Sequence, residues 1–458
     1  MRHLHRAASL AVLAPVLALA LSACVAAPSL AAPKEIIAFP GAEGAGRLSL
    51  GGRGGAVLRV SNLDDAGPGS LRAAVEAKGP RTVVFDVAGT IQLKTPLKIS
   101  EGRITLAGQT APGGGITLRD QTLVVAADDV VIRFIRSRRG AQSKTEGDAV
   151  WVAKGRRIIL DHVSASWSVD ETLSASARFD PPENGFYDLT VQWSIISESL
   201  AKSIHAKGDH GYGSLVRGGR GSKISFHHNL WANHVARMPR PGNYDGPEKD
   251  PVGAFIEFRS NLFYNWGGSH AGYDADKAAM VAYNFIDNAY VSGPDTKKLI
   301  AFNESNSLAR AFFAGNSLNG EIPADPWSLT NGVQVEGWRR SAPIDIAPVT
   351  PDPAASAAAR ILAEAGASVS RDAVDLRVIE GVRTRTGRII DTEQQVGGWP
   401  ALPPGKAAVD TDGDGMPDVW ERSKGFNPAK PDGAPLAKDG SGWTNLELWL
   451  ADAAKVRG

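Results

Sequence analysis

The 458-residue chain has little sulfur: one cysteine and four methionines. A single cysteine excludes a disulfide framework. Beyond the N-terminus no apolar run is long enough to span a bilayer. Charge of one sign is also missing, with 50 Lys and Arg against 49 Asp and Glu. No basic tail or stripe breaks that balance, so nucleic acid is not an expected partner. What the chain has in quantity is glycine (50) and proline (28), which mark a loop-rich, β-leaning globular protein with length for a large core.

The N-terminus, "MRHLHRAASLAVLAPVLALALSAC", has a basic start and an apolar core from Ala7 to about Leu21. Residues 1–24 therefore read as a secretory signal, and the protein is expected to be exported. The end of that segment, Leu21 to Cys24, resembles a bacterial lipobox, with Cys24 as the lipidated residue. Cleavage within the small-residue stretch "VAAPSLAA" is the alternative. Any membrane attachment is expected through this end alone.

No letter repeat of fixed period is present, yet one shape of segment recurs: "ITLAGQT", "VIRFIRS", "ILDHVSAS", "VQWSIIS", "SFHHNLW", "EFRSNLF", "VAYNFID" and "FFAGNSL". Each is a short alternating β-type run closed by a polar or small bend. Aligned on those bends, Gln109, Ile135, Val163, Ser194, Asn229, Asn261, Asn284 and Asn316 share one phase, 23 to 35 residues apart. Such steps, with no helical pattern between them, predict an all-β fold, a right-handed parallel β-helix. Its coils would stack at about 4.8 Å. Asn229, Asn261, Asn284 and Asn316 are then expected to form an amide ladder at a turn. Adjacent His227 and His228 are expected to point to opposite faces, the inward one as a satisfied interior histidine. Trp151, Trp167, Trp193 and Trp231 are expected to pack, though one facing a groove could touch a sugar ring.

Counting from the same markers places Asp170, Lys202 and Arg237 seven or eight positions after Val163, Ser194 and Asn229. Three successive coils would thus bring them to one face, with Asp148 a coil earlier. Acidic and basic side chains side by side on a solenoid face suit a divalent cation together with a polyanion.

At these residues the chain resembles the pectate lyase family of parallel β-helix polysaccharide lyases. "AFPGAEGAGRLSLGGRGG", "DDAGPGSLRAAV", "VVFDVAGTI" and "ITLAGQTAPGGGI" are similar to the family's N-terminal portion. "GDAVWV", "IILDHVSASWSVDETLS" and "HAKGDHGYG" resemble its central coils, and "FHHNLWANHVARMPR" the segment carrying its catalytic arginine. The resemblance implies calcium-dependent cleavage of α-1,4-galacturonan by β-elimination. It implies Arg237 as the base that removes the C5 proton. Asp148 is implied as a calcium ligand, with Glu146 where a second acid often stands. Asp170 is implied as a ligand from the next coil, and Glu171 as its alternative. Lys202 would hold a substrate carboxylate, with Lys207 as a second candidate, and Arg240 would also contact substrate. Two other readings stay open: a polygalacturonase-like hydrolase using clustered aspartates, and a non-catalytic β-helix that binds polysaccharide. A monomer is expected.

Composition shifts near residue 345. The Ala-rich "DPAASAAARILAEAGA" has helical periodicity, so residues 346–404 are expected to wrap back over a 33–345 solenoid. Residues 405–458 open with "DTDGDGMPDVWERSKGFNP". There Asp410, Asp412 and Asp414, followed by Gly415, resemble the opening of an EF-hand calcium loop. Asp418 or Glu421 could close the shell, and a structural calcium separate from the catalytic one is expected.

Overall fold

Short alternating strands cannot bury their apolar face within one hairpin. They bury it here by coiling, so that each strand lies between its counterparts in the coils before and after. The structure, a computed structural model, describes Met1 and residues 35–332 and 337–455. Apart from Met1, the segment expected to be an export signal, Cys24 included, lies outside the described residues.

The described chain is a parallel β-helix with three faces. The first carries ten strands in coil order, from Ala56–Val60 to Ala309–Ala314. The second carries nine, from Gly89–Gln92 to Ser317–Leu318. The third runs from Leu97–Ile99 through Leu123–Ala126, Leu173–Ser176 and Leu215–Arg217 to Arg240–Gly242. The 12-residue strand Val150–Asp161 serves two faces, pairing first with Leu123–Ala126 and then with Val130–Arg133. It turns that corner at Gly155, whose φ is 120° and where a Cβ would sit 2.1 Å from the Ala127 carbonyl oxygen.

Inside, identical strand positions stack. Leu106, Ile132, Leu160, Val191, Phe226, Phe258, Phe285 and Phe313 form one continuous buried column. Its aromatic half stacks with ring centroids 5.8, 5.0 and 4.6 Å apart. The hydrophobic effect holds such a column together while the parallel ladder satisfies its backbone.

The bends obey one rule. Phe134, His162, Trp193, His228, Ser260, Asp287 and Gly315 all have left-handed backbone, φ 49° to 67°, and each immediately precedes a marker residue. The markers then form the expected amide ladder with one change of member. Asn229, Asn261, Asn288 and Asn316 each accept a hydrogen bond from the backbone N–H of the preceding marker, at 2.9–3.0 Å. Asn284 is not in it. That residue lies inside the strand Val281–Ile286, opposite Glu257 and Phe312. Asn288 follows the strand and restores even steps of 27 and 28 residues.

His227 and His228 do not point to opposite faces. His228 sits in the left-handed bend, so both rings are buried and their Nδ1 atoms are 3.0 Å apart. Burial pushes both below the usual histidine range. His228 stacks on Trp193, 4.3 Å between centroids.

The C-terminal segment crosses back over the solenoid. Helices Ala354–Glu364 and Ala373–Arg383 cover the second face, packing Ile361, Val378 and Val382 on Ile195, Leu230 and Leu262. Buried Arg138 pins this wrap through Asp372 (2.7 Å) and Asp375 (2.8 Å). The last helices, Asp418–Lys424 and Asn445–Ala453, seat Met416, Trp420, Leu446 and Leu450 on Ala107.

Candidate active site

On the third face Val150–Asp161, Leu173–Ser176, Leu215–Arg217 and Arg240–Gly242 lie side by side, with Trp151 opposite Ser174 and Leu215 opposite Arg240. The bends feeding these strands carry Asp148, Asp170–Glu171, Tyr212 and Arg237. Parallel bridges from Glu171 to Tyr212 and from Tyr212 to Ala236 extend the ladder into the bends. The result is a groove of about 410 Å³ lined by Asp148, Trp151, Asp170, Glu171, Leu215 and Tyr244 among others.

Asp148, Asp170 and Glu171 each offer an oxygen within 4.8 Å of the others. Burial and the neighbouring Asp170 push the Asp148 carboxyl up to about 8. Three crowded carboxylates are the donor set a hard cation prefers. Arg237 borders them. Its Nη1 forms an ion pair with Glu171, its Nε donates to the Tyr273 hydroxyl at 3.3 Å, and its guanidinium lies 4.0 Å from the Tyr212 ring centre. Three partners therefore hold the guanidinium beside the carboxylates. The Arg237 backbone is left-handed, φ 60°.

The expected stack of Asp170, Lys202 and Arg237 is not the one formed. Tyr212, not Lys202, stands in the ladder between Glu171 and Ala236. The loop from residue 202 to 211 lengthens this coil, so counting from the marker falls short of the ladder residue. Lys202 is exposed, its backbone N–H donating to Asp391 in the C-terminal wrap at 3.1 Å. Lys207 is exposed on the same loop, and its N–H donates to His205 Nδ1. Glu146 is outside the carboxylate trio. It ties down the loop instead, accepting from Ala206 N–H at 2.5 Å. Arg240 reaches to 3.8 Å from Asp276, with its guanidinium 5.3 Å from the Tyr273 ring centre.

Several groove residues have no forerunner in the sequence reading. His205 and His210 stack 3.5 Å apart, and their Nε2 atoms lie 3.7 and 3.4 Å from Asp170. Arg178 and Arg217 flank Tyr244 at 4.8 and 4.4 Å. The clue lay in "HAKGDHGYG", which sets two histidines and a tyrosine in nine residues. Of the tryptophans, Trp167 and Trp231 are fully buried, whereas Trp151 is 38% exposed on the groove.

In the C-terminal loop Asp410, Asp412 and Asp414 do converge within 4.8 Å. Asp418 does not join them. It accepts from the Thr411 backbone N–H and hydroxyl, both at 2.8 Å, which fastens the loop to the helix that follows.

No protein-family model matches the chain. Among curated proteins it is 36% identical to "Probable pectate lyase C" of Aspergillus fumigatus, over 90% of this chain and 93% of that protein. It is 35% identical to the protein of the same name from Emericella nidulans, over 90% of this chain and 92% of that one. Among solved structures a thermostable pectate lyase superposes with a TM-score of 0.50, covering 72% of this chain and 97% of that chain at 14% identity, a likeness of fold. With the likeness to the curated relatives running along nearly the whole length of both chains, this polypeptide belongs to the pectate lyase family, a family of polysaccharide lyases.

Proposed function

We propose that the protein cleaves polygalacturonate by β-elimination, with Arg237 as the base and calcium at Asp148, Asp170 and Glu171. The observation that carries this reading is Arg237 itself: a guanidinium only 15% exposed, held against a carboxylate trio at the edge of an open groove.

Calcium, when bound, would neutralise the substrate carboxylate and so make the adjacent C5 proton more acidic. Asp148 and Asp170 would be the hard-oxygen donors for it, and Glu171 would be shared between that role and Arg237. Arg237 removes the C5 proton. The C–H electron pair becomes the C4–C5 double bond, the C4–O bond breaks, and the leaving oxygen takes up a proton from solvent. Arg240, with Lys202 and Lys207 on the groove's loops, would hold further substrate carboxylates. Trp151 offers an exposed ring face to a sugar. Guanidines are protonated near neutrality, so turnover through a neutral guanidine rises with pH and an alkaline optimum is expected.

An extracellular polymer as substrate agrees with export through residues 1–24, and Cys24 would be the lipid attachment point. The test is the purified protein on polygalacturonate, following ultraviolet absorbance of the unsaturated product. Activity should vanish with chelator and return with added calcium. Release of reducing ends without that chromophore would instead make Asp148 and Asp170 an acid–base pair for hydrolysis.

A further inference from the structure

The C-terminal loop has a second acidic cluster whose geometry differs from the expected one. Asp414 lies within 4.8 Å of both Glu421 and Asp432 as well as of Asp410 and Asp412. Glu421 is fully buried, and neither of its carboxylate oxygens has a hydrogen-bond partner among the described residues. Asp412 Oδ2 and Asp432 Oδ1 are also buried and unpartnered. Four such oxygens, set in two carboxylate trios that share Asp414, are costly unless something positive lies among them.

The rest of the loop is shaped to aim those oxygens. Asp410 accepts from the N–H groups of Gly413 and Gly415, and Asp414 from those of Met416, Asp432 and Gly433. These bonds engage both oxygens of Asp410 and of Asp414 and curl the backbone around the two carboxylates. Glu421 stands eleven residues after Asp410, at the position that supplies the closing bidentate ligand in a 12-residue calcium loop.

We propose that Asp410, Asp412, Asp414, Glu421 and Asp432 bind one calcium-class divalent cation, and that this ion staples the C-terminal segment onto the first coil of the solenoid. The ligands come from two stretches, 410–421 and the turn at Asp432, which lies 18 residues after Asp414, and the ion would hold them together. The same C-terminal segment is anchored at its loop and at its last helix: Asp410 pairs with Arg59 at 2.5 Å, Glu447 pairs with Arg53 at 2.8 Å, and Trp443 Nε1 donates to the Ile37 carbonyl at 2.9 Å. Arg59 belongs to Ala56–Val60, the outermost strand of the first face. Several flexible carboxylates favour calcium over magnesium, which demands near-octahedral geometry and keeps its waters. The site is independent of the groove chemistry.

The test uses the full chain, stripped of metal and titrated with calcium chloride, reading melting temperature and calcium binding. Calcium should raise the melting temperature of the unaltered protein. The double variant Asp148→Asn/Asp170→Asn, which disables the groove carboxylates, should keep that rise. Added to that double variant, Glu421→Gln should abolish the rise and weaken calcium binding here by more than about 100-fold, and on its own it should leave kcat unchanged. In chelator Glu421→Gln should melt at or above the unaltered protein, because it removes a repelling charge. That reversal of order between calcium and chelator would not arise from a purely structural glutamate. The proposal is overturned if Glu421→Gln in that background keeps the calcium response, or if it melts lower by the same amount with and without calcium. Asp432→Asn, read by the same criteria, replaces Glu421→Gln should the latter fail to fold.

Discussion

The groove and the C-terminal loop each gather three or more carboxylates within 4.8 Å, yet their surroundings differ. In the groove Glu171 is paired with Arg237, Asp170 keeps a third of its side-chain area exposed, and arginines and histidines stand nearby. In the C-terminal loop Glu421 is sealed from solvent with no cation against it. A third cluster completes the series. Asp274 and Glu304 face each other across neighbouring strands, fully buried, but all four of their oxygens accept hydrogen bonds from Asp276, Asn306 and Trp338. Similar acids thus serve three ends. An open, cation-bordered cluster can exchange ligands, a sealed and orphaned one calls for an ion, and a sealed, hydrogen-bonded one calls for a proton.

The sharpest break in that comparison is Arg237→Lys. Kcat should fall by about 10² to 10⁴-fold with little change in KM, because an ammonium cannot reproduce the guanidinium's shape and reach. The calcium-dependent melting temperature should be untouched. Near-normal kcat in a folded variant would move the base role to Lys202.

Next come the two groove acids that the sequence leaves as alternatives. Asp170→Asn should raise the calcium needed for half-maximal activity by about 10 to 100-fold, with kcat recovered at saturation. Glu171→Gln should do the same and also lower kcat at saturation, since it strips Arg237 of its partner. A calcium titration of activity that leaves the Glu171→Gln requirement unchanged would make Glu171 only the holder of Arg237.

Deleting residues from Ala408 onward tests whether the loop cluster is separate from catalysis. The deletion uncovers Val57 and Ala107 and leaves Arg53 and Arg59 without Glu447 and Asp410. The melting temperature should drop by roughly 5 °C or more, while kcat stays within about twofold of the intact protein. Abolished turnover in a folded truncation would join the loop to the active site.

The smallest effect is expected at the hydrogen-bonded cluster. Burial, with repulsion from Asp276 on Asp274 and from Asp274 on Glu304, raises both Asp274 and Glu304 above the ordinary carboxylate range. The folded state then binds more protons than the unfolded chain. Their contribution to stability is complete at low pH and is lost as pH rises from the ordinary range through the raised one. Glu304→Gln should flatten stability against pH and gain about 1 kcal/mol on the alkaline side. Denaturant melts at two pH values check it, and an unchanged pH slope would mean the pair holds no shared proton.

The sequence by itself determined the coil. Alternating runs closed by bends can bury their apolar side only by stacking, so the β-helix, its amide ladder and its buried tryptophans were legible without coordinates. The chemistry-bearing residues were legible as types for a related reason. An acidic cluster beside a basic one is unusual on a merely solvated solenoid face, and "DTDGDG" has the alternating oxygens of a calcium loop. Tertiary structure alone decided which member of each set meets which. Asn288 replaced Asn284 because a ladder residue must follow the strand end, and strand ends are set by pairing with neighbouring coils. Tyr212 took the ladder place given to Lys202 because loop length is invisible to a count from markers. Glu421 and Asp432, not Asp418, complete the C-terminal cluster, because a helix start turns Asp418 back to Thr411 and a second loop delivers Asp432 from 18 residues away. Periodicity is a local property and survives in one dimension. Convergence of side chains across coils depends on where each loop returns the chain, and that is fixed only when the coils pack.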